Sequence, residues 1–257
     1  MYNDYVIILG ASSGIGLACA KSFAQKGIGV IGIYLRKPQS HIESVLSDLN
    51  EYNVDIQFKK MNACNMEDAT NFINKISSID NIRIKAFVHS LAFGTLKPFI
   101  AHNDSDMIAK KNIDMTLDVM AGSFLYWSQE MFKSGIIKEG SQLMGMTSSG
   151  GRRVWQSYGA VSMAKAGLES IGRQLAFELS SHNIAVNMIQ AGVTDTPALR
   201  KIPGYENMIS HVQSTNPRGR LTTPEDVAEV VTQIGTSEHT WMTGNIINVD
   251  GGEDIIG

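Results

Sequence analysis

Val6-Ile7-Ile8-Leu9-Gly10-Ala11-Ser12-Ser13-Gly14-Ile15-Gly16 decides the fold. Four apolar residues of strand length run into a turn with three glycines, and a helical pattern follows from Ile15 to about Lys26. Such a turn lets the backbone approach a pyrophosphate closely. The helix start then offers free N–H groups and the positive end of the helix dipole. The strand before it and the helix after it make this a dinucleotide-binding turn, with Gly10, Ser12, Ser13, Ile15 and Gly16 as candidate contacts.

Outward from this turn, strands and helices alternate. Strand-like runs cover 29–34, 56–58, 86–88, 142–146, 185–189 and 245–249, and helical patterns cover 41–52, 66–79, 104–134 and 158–180. Alternation of this kind implies parallel pairing with right-handed crossovers. The expected fold is an α/β Rossmann-type, doubly wound parallel sheet with helices on both faces. The strands are apolar throughout, as a sheet covered on both sides requires. A chain of 257 residues suits one large domain, so 1–257 is read as a single dinucleotide-binding domain. Residues 197–217 mix Gly, Pro, Met and aromatic side chains. They read either as a mobile substrate lid or as a pair of surface helices.

Composition narrows the partners. The net charge is −3, and Lys59-Lys60, Lys110-Lys111 and Arg152-Arg153 are isolated pairs, so nucleic acid is not expected. Two cysteines, Cys19 and Cys64, make no disulfide framework and suit a reducing compartment. Cys19 falls on the apolar side of the first helix. No signal peptide and no membrane-spanning run are read, so a cytoplasmic protein without a membrane partner is expected. No metal site is expected.

Two features carry the chemistry. The second strand ends in Tyr34-Leu35-Arg36-Lys37, where a site for NAD usually places an acid on the ribose hydroxyls. Arg36 and Lys37 suit the 2′-phosphate of NADPH, with NADH as the second choice; the bland reading is a charged surface loop. Further on, Tyr158 and Lys165 stand seven residues apart, and Val161 stands four before the lysine. Seven residues are roughly 700° of helix, so Tyr158 and Lys165 can share a face. Valine has no proton to give.

With these features in place, the chain resembles the short-chain dehydrogenase/reductase family over nearly its whole length. The resemblance rests on the glycine turn, Asn62-Ala63, Asn187 through Gly192-Val193-Thr194-Asp195-Thr196, Thr243-Gly244 and Val249-Asp250-Gly251-Gly252. It departs from most members in four places. His89-Ser90-Leu91-Ala92-Phe93 replaces Asn-Asn-Ala-Gly, Ala191-Gly192 replaces Pro-Gly, Met120 stands where a catalytic asparagine is common, and Tyr158 sits seven rather than four before Lys165. These departures look like the divergent enoyl-acyl-carrier-protein reductases. Ser148-Ser149-Gly150 looks like their NADPH-preferring branch; another branch has a tyrosine at the position of Ser148.

The resemblance implies a set of roles. Tyr158 donates to the developing enolate oxygen of an enoyl thioester, Lys165 binds the nicotinamide ribose, and Ser148 hydrogen-bonds substrate or orders water. Asn62, Ala63, Ser90, Thr194 and Thr196 join the cofactor contacts. Phe93 and Leu96 line the acyl site, with Met163 and residues 202–208 as further candidates. His89 is structural or a backbone contact to cofactor. The implied substrate is an acyl thioester on acyl carrier protein. A homotetramer is implied, with a dimer second, paired through Met115, Val119, Phe124 and Trp127 of one long helix and Leu168, Ile171, Leu175 and Phe177 of the other. The competing readings are a carbonyl reductase such as a 3-oxoacyl reductase, and a nucleotide-binding protein without turnover.

Overall fold

Seven short apolar runs pair into one parallel sheet. β1 (Asn3–Leu9), β2 (Gly29–Tyr34), β3 (Ile56–Lys60), β4 (Ile82–His89), β5 (Gln142–Thr147), β6 (Ala185–Ala191) and β7 (Ile246–Val249) lie in the order β3-β2-β1-β4-β5-β6-β7. The structure, a computed structural model, describes residues 2–256. The order reverses between β1 and β4, and in open parallel sheets of this kind ligands bind beyond the carboxyl ends of the strands at that switch point. Gly10 follows β1 there, and Ser90 follows β4.

Alternation along each strand divides the core in two. Ile7, Leu9, Ile33, Phe87 and Leu143 face α3 (Met66–Ser77), α5 (Ser123–Lys133) and α6 (Gly159–Leu179). Val6, Ile8, Val30, Val88 and Met144 face α1 (Gly14–Gln25), α2 (Gln39–Leu49) and α8 (Pro224–Thr236). Cys19 is buried in this second layer, as expected. Phe87 stacks on Phe124 with centroids 5.5 Å apart, and the Trp127 indole donates to the Ala63 carbonyl at 2.8 Å. The core of α5 therefore anchors the turn that follows β3.

The structure corrects the sequence reading in several places. The long middle helix does not begin near 104. It is α4 (Lys110–Leu117), then a π-helical turn over Asp118–Gly122, then α5. Single π-turns inside helices concentrate at functional sites, and this one carries Met120. β4 starts four residues before the expected 86, because Arg83 and Lys85 break its apolar pattern. Both are nonetheless buried. Arg83 pairs with Asp4 at 2.7 Å and Glu238 at 2.9 Å, and Lys85 donates to the carbonyls of Gly140 and Ser237. Helix α8 was not anticipated, although Thr223 and Asp226 form a full capping box with Pro224 at its start. Residues 197–217 hold a short turn of helix, Leu199–Lys201, and α7 (Tyr205–Thr215). No helix among the described residues is long and apolar enough to cross a membrane.

The apolar residues expected on a second helix face mostly serve the core. Phe124, Trp127, Leu168 and Leu175 are buried within the chain, Ile171 packs against the same core, and Met115 and Val119 line the cleft described below. Phe177 alone among the eight is well exposed, at 77%.

Candidate active site

The cleft at the switch point is built from backbone first. Gly10 adopts φ +88°, and a Cβ there would lie 2.7 Å from the Ser90 carbonyl oxygen; a Cβ on Gly16 would lie 2.3 Å from the Gly10 carbonyl oxygen. No other residue fits this crossing of β1, β4 and α1. Ser13 precedes α1 in extended conformation without a side-chain cap, and the first turn of α1 carries no acid. The N–H groups at that helix end are thus left for a ligand, as a pyrophosphate requires.

The cleft measures about 590 Å³. Of the expected cofactor contacts, it brings together Gly10, Ser12, Ser13, Ile15, Arg36, Lys37, Asn62, Ala63, Ser90 and Thr196. Gly16 lies just behind, as the packing contact with Gly10. Thr194 does not reach the cleft: its hydroxyl donates to the Gly192 carbonyl, and its backbone pairs with Thr222. The dimensions and donor set fit a nicotinamide dinucleotide, with Arg36 and Lys37 at the end where an adenosine ribose would lie. The Arg36 guanidinium rests on the Phe93 ring, 3.3 Å from its centroid. Phe93, expected on the substrate side, thus supports a cofactor-side cation.

Several cleft residues escaped the sequence reading. Met61, Cys64, Leu91 and Asp118 all line it, beside Pro197 of the expected lid segment. Burial, with Asp118 nearby, pushes the Cys64 thiol up to about 12, so it is not a nucleophile. His41 Nε2 lies 2.9 Å from the Ser12 carbonyl and braces the glycine turn from α2. Its signal was faint, since a histidine in a helical pattern has no positional signature.

Beyond the cleft, the residues expected to carry the chemistry gather where α6 meets the end of β5. Ser157 takes the left-handed conformation, φ +59°, unusual for a residue with a Cβ. That bend sets Tyr158 at the start of α6. Lys165 is buried two turns later, its Nζ donating to the Met146 carbonyl at 2.6 Å. Burial lowers its pKa to about 8, against the pull of Glu169. Burial raises the Tyr158 pKa, and the neighbouring Ser148 hydroxyl opposes this. The Ser148 Oγ is buried and completes no hydrogen bond of good geometry, although it lies beside the phenol.

Val161, where a proton-donating tyrosine would stand at the commoner spacing, is 5% exposed and packs with Met120 and Ala164. Leu96, Val119 and Tyr158 border the same apolar cluster. Val119 also lines the cleft, so the two halves of the site adjoin. His89 is fully buried. Its Nε2 lies 2.8 Å from Ser123 Oγ, and the Ser123 hydroxyl itself donates to the Val119 carbonyl. The ring proton is accordingly assigned to Nε2. Burial and the Lys165 charge hold its pKa near 3, so His89 is neutral and no general acid.

A parallel sheet in this order, a glycine cradle at its switch point and a Tyr158/Lys165 pair beside it define a nicotinamide-dependent oxidoreductase of the short-chain type. Comparison with known proteins narrows the class. Residues 10–253 match the family described as Enoyl-(Acyl carrier protein) reductase, and the chain belongs to that family. An enoyl-(acyl-carrier-protein) reductase (NADH) from Nostoc sp. is 29% identical, covering 94% of this chain and 91% of that protein. A 3-oxoacyl-(acyl-carrier-protein) reductase from Thermotoga maritima is 27% identical, covering 96% of each. The crystal structure of an enoyl-(acyl-carrier-protein) reductase (NADH) from Aquifex aeolicus superposes with a TM-score of 0.85 at 23% identity, covering 100% of this chain and 98% of that one.

Gly150 provides a direct handle on the tyrosine. A Cβ there would lie 2.5 Å from Tyr158 Cε1, so Gly150→Ala must displace the ring. Turnover should fall at least about tenfold, because misplacing a reacting group by an ångström costs that much or more. Cofactor affinity, read by nicotinamide fluorescence, should change little.

Proposed function

We propose that this chain reduces the 2,3 double bond of an enoyl thioester with NADPH. One observation carries the reading: the acid position nearest Lys165 is filled by Val161 within an apolar cluster, while Tyr158 stands beside the unpartnered Ser148 hydroxyl. A carbonyl reductase needs a proton donor close to the oxygen it converts to an alcohol. Here the donor sits a turn further out, where it reaches the thioester oxygen of a longer conjugated substrate.

The bound dinucleotide would supply hydride to the β-carbon of the substrate. The residues of this chain handle the charge that results. The Tyr158 O–H donates to the thioester oxygen as enolate character develops, and Ser148 offers a second donor. Raised by burial, the phenol keeps its proton until that moment, and a proton then ends on the α-carbon, converting the enolate to the saturated thioester. Lys165 holds the ribose hydroxyls and places an ammonium charge behind the tyrosine. Leu96, Met120 and Val161 exclude water from the reacting carbons. The resemblance to the Thermotoga 3-oxoacyl reductase favours carbonyl reduction as the second reading.

The test is NADPH oxidation with crotonyl and acetoacetyl thioesters, offered on acyl carrier protein and on coenzyme A. Only the enoyl compounds should be consumed at a useful rate, with the carrier-protein form preferred. Tyr158→Phe should lower turnover on the order of 10²–10³-fold with NADPH binding retained. Unchanged turnover would remove Tyr158 from the mechanism.

The NADPH preference rests on Arg36 and Lys37, set against the NADH named for the Nostoc relative. Arg36 is exposed although stacked on Phe93, so its donors remain free for a 2′-phosphate. Replacing both cations with uncharged residues should raise KM for NADPH far more than KM for NADH. Equal use of both cofactors by the unaltered enzyme would reduce the pair to surface charge.

Residues 197–217 are proposed as the substrate lid. They supply Pro197, Ala198 and Lys201 to the cleft wall, and the Trp155 indole donates to the Pro203 carbonyl at 3.1 Å, linking them to the loop before Tyr158. A cytoplasmic homotetramer is proposed, with a dimer second. Of the helix residues first expected, Phe177 remains in support, joined by Tyr126, Phe132 and Met163 on α5 and α6, and by Trp241, Met242 and Ile246 before and at the start of the edge strand β7, all exposed. Light scattering should give about four times the 28.0 kDa chain mass; a value near one chain would exclude assembly.

A further inference from the structure

Three consecutive residues, the last two of β5 and Ser148 after it, each meet one residue of α6 or of its N-cap. The Met146 carbonyl accepts from Lys165 Nζ at 2.6 Å, the Thr147 hydroxyl donates to Glu169 Oε1 at 2.7 Å, and Ser148 lies beside Tyr158. Gly151 closes the space above them. A Cβ on Gly151 would lie 3.3 Å from both Glu169 Oε1 and Lys165 Cβ, so the carboxylate and the base of the lysine side chain border the same small space. We propose that Glu169 is a positioning residue for the reaction, its Thr147-pinned carboxylate keeping the buried Lys165 amine in its ammonium form. This rests on the reading of Lys165 as the charged partner of Tyr158.

The surroundings of Lys165 leave this task to Glu169. Burial works against the ammonium, and the carboxylate works for it. From β4, His89 faces the lysine with a neutral ring. From the start of α6, Tyr158 contributes an un-ionised phenol. From the end of β5 and Ser148 after it come only a carbonyl and two hydroxyls; the π-turn carries the apolar Met120 and Asp118, whose carboxylate lines the cleft beside Cys64. Arg152 and Arg153, on the turn after Gly151, are both paired with Asp254. Thr147 is 3% exposed, so the hydroxyl that orients Glu169 is shielded from competing water. Loss of the carboxylate charge lowers the lysine pKa further. The ammonium fraction near neutral pH then falls, and activity that depends on it is lost at a lower pH than before.

The experiment compares the unaltered enzyme with Glu169→Gln, Glu169→Asp and Thr147→Val. Two readouts are taken: the pH profile of kcat for enoyl-thioester reduction, and the titration of the Lys165 ¹³Cε resonance, assigned by its loss in Lys165→Met. Glu169→Gln should move both the basic limb and the lysine titration down by about half to one pH unit. Thr147→Val should move them the same way by less, and Glu169→Asp should return them toward the original position. A Glu169→Gln enzyme that loses turnover or thermal stability while both titrations stay in place overturns the proposal. Should Glu169→Gln fail to fold, Thr147→Val alone decides it by the same two titrations. If the unaltered enzyme reduces no enoyl thioester, the functional reading fails, and the resonance titration still decides the role of Glu169.

Discussion

The Lys165 amine on the Met146 carbonyl fixes the register of α6 against the sheet, and the rest of the site follows from it. Seven residues back, nearly two helical turns, Tyr158 comes to the same face at the helix start. Four residues back, Val161 falls into the cluster with Met120. Four residues on, Glu169 meets Thr147. A buried cation cannot slide along a helix interface without losing its acceptor, and leaving such a charge unpaired costs several kcal/mol. One hydrogen bond thereby holds donor, charge and apolar wall in a single geometry.

The same constraint separates this site from that of a carbonyl reductase built on the same sheet. The proposed proton donor, Tyr158, is displaced by almost one turn, and the position it leaves is packed with hydrocarbon. Met120, on the π-turn, removes the polar relay that an asparagine would offer, and its burial against Val161 makes the two departures one packing event. The π-turn also presents the Val119 carbonyl to Ser123, which in turn accepts from His89. The histidine that replaces an asparagine at the end of β4 is thus absorbed into a buried, neutral brace.

Much of this was legible in the chain because it depends on local pattern. The apolar runs of β1, β2, β5 and β6 and the glycine turn are consequences of burial on both faces and of backbone approach, and both leave short-range signatures. Tyr158 and Lys165 were legible through their seven-residue spacing taken together with the family resemblance. What escaped depends on long-range partners. β4 was read short because Arg83 and Lys85 look like surface residues until Asp4, Glu238 and the Ser237 carbonyl are brought to them. Thr194 was assigned to the cofactor by position, but its hydroxyl is spent on Gly192. Phe124, Trp127 and Leu168 were assigned to an interface because their helix face could not be told from the core face without the sheet. Helix α8 was overlooked despite a capping box that was readable at Thr223 and Asp226.

The central claim is that the displaced tyrosine and the packed Val161 commit this site to a carbon–carbon double bond. The most direct measurement follows the hydride itself. NADPH deuterated at C4 would be supplied with an equimolar mixture of a 2-enoyl and a 3-oxoacyl thioester, and the products examined by mass spectrometry and NMR. The account predicts deuterium at C3 of a saturated acyl chain and an untouched 3-oxo substrate. Deuterium on the carbinol carbon of a 3-hydroxyacyl product, with the enoyl thioester left intact, would contradict it.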